Sequence, residues 1–117
     1  MKTDDELKLI LKYDVNLDIL HIYNEILKIN TDIFNTHKLK LKDIKTIKPN
    51  IEGINKSCIK VNYNRDKVEL DVKINYFKED DKCLLENIIV ILQGEDVTPD
   101  ELVSISNIID NVFLGGR

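Results

Sequence analysis

The sequence predicts an α+β domain in which an antiparallel sheet of three to four strands is flanked by a long helix and a C-terminal helix. Three observations carry that expectation. Isoleucines recur at helical spacing before residue 34, segments further on alternate apolar and polar residues, and a helix-start signature stands at residues 97–102. At 117 residues the chain fits one domain, 1–117, able to bury about two-thirds of the surface exposed when unfolded. No internal repeat or Pro/Gly/Ser-rich tract divides it.

Residues 4–13 carry two conflicting signals. Thr3 and Glu6 have the spacing of a capping box for a short helix, whereas Leu7, Leu9, Leu11 and Tyr13 alternate as in a strand, and both readings stay open. The next segment is less ambiguous. Val15, Ile19, Ile22, Ile26, Ile29 and Ile33 advance by threes and fours, which places them on one face of a helix over about 16–34. Leu20, Tyr23, Leu27 and Phe34 widen that stripe, which is expected to pack on the protein's own sheet, while Asp18, Glu25, Lys28 and Asp32 occupy other faces.

Strands are expected over about 38–47, 57–63, 67–77 and 84–93. Lys38, Lys40 and Lys42 alternate with Leu39 and Leu41; Ile59, Val61 and Tyr63 share one face; so do Val68, Leu70, Val72, Ile74 and Tyr76. One apolar set is odd-numbered and the other even-numbered, so partners in a hairpin must sum to an odd number if both are to face the core. A four-residue loop, 64–67, would oppose Tyr63 to Val68, Val61 to Leu70 and Ile59 to Val72. It would also set Cys58 opposite Lys73, with a second turn through 78–82 setting Cys83 opposite Phe77. That separation exceeds the roughly 7 Å a disulfide can bridge, so both thiols are expected free.

Ile88, Ile89, Val90, Ile91 and Leu92 form an unbroken apolar run, the pattern of a strand covered on both faces. The last helix, about 99–114, has Thr98 as N-cap, Pro99 at its first position, Glu101 to close a capping box and Val97 to staple onto Leu102. Leu102, Ile105, Ile108, Ile109 and Val112 form its core face. Gly115 supplies the stop, and the Gly115-Gly116 pair reads as that stop rather than as a ubiquitin-like tail.

Net charge is −4 and the pI about 5.2, unevenly distributed. From residue 83 onward Glu86, Glu95, Asp96, Asp100, Glu101 and Asp110 face Arg117 alone, whereas Lys38, Lys40, Lys42, Lys45 and Lys48 face only Asp43 between 37 and 48. The acidic total disfavours nucleic-acid binding, and the lysines of the basic strand read as protection of a sheet edge. No apolar stretch approaches the roughly 20 residues that span a bilayer, and the N-terminus is acidic where a signal peptide is basic, so a cytoplasmic location with no membrane partner is expected.

Asp71-Val72-Lys73 raises the possibility of chemistry, because metal-dependent nucleases hold a metal with paired carboxylates and position water with a lysine. Glu25 could supply a further acid. The order then breaks, since another strand follows where such enzymes place a crossover helix, and Glu69, Asp71 and Lys73 read as the solvated face of a strand. His21 and His37 fall on a helix surface and in a turn. Cys58 and Cys83 have no base motif beside them, and no phosphate loop or calcium loop is present.

No catalytic, cofactor-binding or metal-binding residue is therefore assigned, and the chain is expected to be a non-enzymatic protein-binding domain without a cofactor. Its concrete form would be an acidic inhibitor or immunity-type protein covering a basic surface on a toxin or enzyme. The alternatives are a homo-oligomeric assembly component or chaperone of a phage or mobile element, and a small metal-dependent nuclease. Ile89 and Ile91 point away from Ile88, Val90 and Leu92, so with Phe77 they are the expected anchors of a partner site or homodimer face.

Overall fold

The structure is a computed structural model that describes residues 5–48, 55–80 and 82–114. Its first element settles the ambiguous segment as a strand, β1 (Asp5–Asp18). The alternation runs on through Val15 and Leu17, and only an extended chain puts six apolar side chains from Leu7 to Leu17 on one face. Glu6 pairs with Gln93 inside the sheet, so it caps no helix, and Thr3 lies outside the described residues. Helix α1 (Ile19–His37) starts later than expected because Val15 belongs to the strand's alternation. It ends where Lys38 turns left-handed, φ 60°, and donates its backbone N–H to the Phe34 carbonyl at 2.9 Å.

Strands β2 (Lys40–Ile47), β3 (Lys56–Arg65), β4 (Val68–Glu79) and β5 (Lys82–Gly94) form a meander. β1 then joins the far side of β5, so the sheet has five strands in the order β1-β5-β4-β3-β2, every neighbouring pair antiparallel. The fifth strand comes from the segment whose sequence also reads as a helix.

The β3–β4 register keeps the expected parity but not the expected loop. The connection is the two-residue turn Asp66-Lys67, with Lys67 at φ 59°, and it opposes Tyr63 to Leu70, Val61 to Val72 and Ile59 to Ile74. A shift of two residues moves partners without exchanging faces, which is why the core set survives. Cys58 consequently faces Asn75 and Cys83 faces Lys78. The thiols are free and lie on opposite faces of the sheet, Cys83 in the core. Gly94 closes against this turn at φ 141°, where an added Cβ would stand 2.2 Å from the Lys67 carbonyl oxygen.

Helix α2 (Pro99–Leu114) packs beside α1 on the same face of the sheet, giving two layers and a least dimension of 22 Å. Between them lie Ile59, Val61, Tyr63, Leu70, Val72, Ile74, Leu85, Ile88, Val90 and Leu92 from the sheet. Ile22, Ile26, Ile29 and Ile33 of α1 and Leu102, Ile105, Ile109 and Phe113 of α2 cover them. Each such side chain contributes about 1.5–3 kcal/mol by leaving water. β5 is thus covered on one face only: β1 pairs with it edge-on instead of folding over it, and Ile89 and Ile91 remain on the helix-free side.

At the start of α2 half of the capping box forms. Thr98 Oγ1 accepts the Glu101 backbone N–H at 3.2 Å, but the Glu101 carboxylate turns elsewhere. Val97 and Leu102 are both buried, as the staple requires. The proposed stop at Gly115 lies outside the described residues. Among those residues no helix is long and apolar enough to cross a membrane.

Candidate functional site

The most connected polar cluster joins the ends of both helices to the β3–β4 hairpin. Arg65 holds Glu101 with two bonds of 2.9 Å, Nη1 to Oε2 and Nη2 to Oε1, and Nη1 also donates to the His37 carbonyl at 2.7 Å. His37 Nδ1 lies 3.0 Å from Glu101 Oε2 and its Nε2 lies 2.9 Å from Ser104 Oγ. An ionised carboxylate only accepts, so Nδ1 carries a proton, and in a neutral ring Nε2 accepts a hydrogen bond from the Ser104 hydroxyl. The Arg65 guanidinium, aided by His37, holds the Glu101 carboxyl below its ordinary range against the opposing effect of burial.

This connectivity is that of a serine, histidine and carboxylate triad, and its surroundings decide what it does. Arg65 already neutralises Glu101, which leaves less charge to support an imidazolium. Ser104 is the sixth residue of α2, so its own N–H and those after it belong to the helix ladder and cannot receive an oxyanion. A depression of about 680 Å³ lies at the opposite end of the sheet, lined by Lys48, Asn55, Lys56, Ser57, Lys78, Glu79 and Asp80. We read the cluster as a clamp on the helix ends. Sequence reasoning placed His37 in a turn and Glu101 in a cap; their meeting across 64 residues has no local signal.

The nuclease constellation is not assembled. Asp71 lies on the helix-free face, where it accepts a 2.7 Å bond from Asn62 Nδ2, whereas Glu25 is buried on α1, on the other side of the sheet. Glu25 instead pairs with Lys28 at 3.3 Å and His21 at 3.6 Å. Among the described residues no three His, Cys, Asp or Glu side chains are grouped to hold a metal. Burial raises the Cys58 thiol pKa despite nearby Lys73, Lys60 and Lys56, and it raises that of Cys83 as well.

The acidic C-terminal third is largely engaged within the fold. Glu86 pairs with Lys56, Glu95 with Lys67, Glu101 with Arg65, and Asp110 accepts a 2.7 Å bond from the Tyr13 hydroxyl.

Two apolar surfaces remain. The helix-free face carries Ile89 and Ile91, both partly buried, with Ile10 of β1 opposite Ile89 and 48% exposed; Phe77 sits further along, opposite Leu84. The structure thus groups two of the three expected anchors and sets Phe77 apart. The hydrogen-bonded pair Asn75 and Asn87, with Lys12 beside it, separates these islands.

The larger surface lies where α1 overhangs β2. Of the ten large apolar side chains exposed among the described residues, Leu20, Tyr23, Leu27 and Phe34 lie on α1 and Leu41, Ile44 and Ile47 on β2, the last turned to the helix-free side. Leu20 and Leu27 are 73% and 62% exposed, so these side chains do not widen the buried stripe as expected; they form a second one. Leu20, Leu27 and Phe34 recur every seven residues and so line one flank. That flank faces β2. Tyr23 Oη meets Thr46 Oγ1 at 3.2 Å near one end, and Lys40 Nζ stands 6.0 Å from the Phe34 ring centre at the other. β2 is an outer strand with all eight residues exposed, and no strand among the described residues pairs its free edge.

No protein-family model matches the chain, and no curated protein matches it. Among solved structures it is similar to ORF14 from Sulfolobus islandicus filamentous virus, with 16% identity and a TM-score of 0.46 over 73% of this chain. That alignment spans 65% of the viral chain, just under two-thirds of its length.

Proposed function

We propose that the chain is a non-catalytic protein-binding domain that uses the α1–β2 edge as its contact surface. One observation carries this reading: an apolar helix flank and a strand edge stand side by side, unpaired and uncovered among the described residues. A monomer has no folding reason to expose Leu20 and Leu27 this far while four isoleucines of the same helix are fully buried. The inhibitor or immunity-type form rests on the acidic C-terminal third, and the internal pairing of Glu86, Glu95, Glu101 and Asp110 leaves it less support than the edge has.

The test is site-specific photo-crosslinking in the source cells, with the crosslinker at Leu27 or, as control, at the exposed Asn111 of α2. One dominant protein adduct is expected from Leu27, absent from Asn111 and lost when Leu20 and Phe34 are also changed to lysine. Equal labelling from both positions, or none, counts against the reading.

A second reading, a homo-oligomeric assembly component, is favoured by the Ile10, Ile89 and Ile91 cluster on the helix-free face. Ile89→Lys with Ile91→Lys should then give a folded protein of lower mass by light scattering. An unchanged mass removes this reading.

A further inference from the structure

We infer that the occupant of the α1–β2 edge is an extended acidic segment of another protein, added to the sheet as a strand beside β2; this rests on the protein-binding reading above. A sheet edge binds a strand through main-chain hydrogen bonds, and the side chains of the two faces set which strand. Here the two faces differ. On the helix side the edge presents Leu41, Ile44 and Thr46, with Tyr23 of the α1 flank bonded to Thr46, so an added strand would meet mostly apolar surface there. On the helix-free side the edge presents Lys42 and Lys45 with Asp43 and Ile47 among them, while the Lys40 ammonium turns to the Phe34 ring. Lys45 opposes Lys60, which opposes Lys73, so three lysines cross the sheet in one row beginning at the free edge.

Like charges placed directly opposite destabilise a sheet, and an acidic side chain at the end of this row would relieve the repulsion. Lys60 and Lys73 have no ion-pair partner among the described residues. Lys42 with Glu69 at 3.7 Å and Lys45 with Asp43 at 3.4 Å are exposed pairs, which a partner's carboxylates can replace at little cost. The bulge at Lys42 leaves Asp43–Ile47 as the regular stretch of edge.

A second copy of the chain fits less well. Pairing β2 with its own copy would set lysine rows against each other, and β1 of a second copy offers Lys8 and Lys12 among the residues it turns to the helix-free side. The edge lysines that repel another copy therefore admit an acidic strand.

The experiment uses the full chain and a fluorescent peptide of about eight residues alternating glutamate and valine, with a lysine-for-glutamate peptide as control. Binding is followed by anisotropy and mapped by backbone amide exchange. The acidic peptide should bind and the basic one should not. Affinity should fall at least about tenfold for Lys42→Glu with Lys45→Glu, and likewise for Leu27→Ser with Phe34→Ser. It should also weaken between about 0.05 and 0.5 M salt, and amides of β2 should gain protection. These positions are exposed, and circular dichroism verifies that the variants fold.

Equal binding of both peptides, binding unmoved by either double variant, unprotected β2 amides, or no binding at about 1 mM each overturns the inference. A concentration-dependent mass of the isolated chain that disappears in Leu27→Ser with Phe34→Ser assigns the edge to a second copy and also overturns it. The Leu27 crosslink separates the two levels: an adduct with a protein lacking such a segment ends this inference and keeps the binding reading, while no adduct ends both.

Discussion

Replacing Glu101 by Gln removes the charge at the centre of the clamp while keeping its shape. The amide can still accept one bond, but Arg65 loses its bidentate partner and His37 loses a charged acceptor. Bonds to charged groups contribute about 1.5–3 kcal/mol each when desolvated. The side chains are 18% exposed at Glu101 and 29% at Arg65, so solvent screening reduces the sum, and a loss of about 2 kcal/mol at pH 7 is expected. For a chain of this length that corresponds to a melting temperature lower by roughly 8 °C.

Urea unfolding of Glu101→Gln, Arg65→Met and the double variant measures the coupling, expected at about 1–2 kcal/mol. The acid limb follows from the sign of the shift. Because Arg65 depresses the folded-state pKa of Glu101, its contribution is complete above the ordinary glutamate range. It is lost as pH falls from that range through the depressed value, so wild type should lose more stability than Glu101→Gln over this interval. A Glu101→Gln stability within about 0.5 kcal/mol of wild type at pH 7, or parallel acid limbs, would refute the clamp.

Four further outcomes are expected. Gly94→Ala should destabilise by roughly 2–4 kcal/mol in urea, because the new methyl meets backbone at a left-handed φ; a change below about 1 kcal/mol contradicts the close approach. Ser106→Ala should raise stability by about 0.5–1.5 kcal/mol, since the buried hydroxyl has no partner and alanine favours helix; a loss would reveal a bond to that hydroxyl. Asp71→Asn with Lys73→Gln should shift stability by no more than about 0.5 kcal/mol; Mg²⁺- or Mn²⁺-dependent nuclease activity abolished by Asp71→Asn would defeat the non-enzymatic reading. Thiol titration should find Cys58 reacting slowly in the folded protein and Cys83 only after unfolding; a prompt reaction of both would contradict the placement of Cys83 in the core.

Helices and strands were legible wherever burial imposed a period on the sequence. α2 begins where Thr98 and Pro99 place it and buries Leu102, Ile105 and Ile109, and β4 follows its alternation, whereas the unbroken run of β5 is covered on one face only. β1 was ambiguous because the Thr3 to Glu6 spacing is a local signal, and the contact with β5 that overrides it is not local. The hairpin loop was misjudged because parity fixes faces and leaves shifts of two residues open; Lys67 taking a left-handed turn decides between them. The edge surface was missed for a different reason. Leu20, Tyr23, Leu27 and Phe34 look like a widened core stripe, and only the position of α1 over an outer strand shows that the sheet ends beneath them.

Methyl groups report on both candidate surfaces at once. With the crosslinked partner added to the chain in solution, methyl NMR should move or broaden Leu20, Leu27, Leu41 and Ile44 and leave Ile10, Ile89 and Ile91 in place. Perturbation of Ile10, Ile89 and Ile91 with an undisturbed α1 flank would contradict the assignment of the α1–β2 edge as the binding surface.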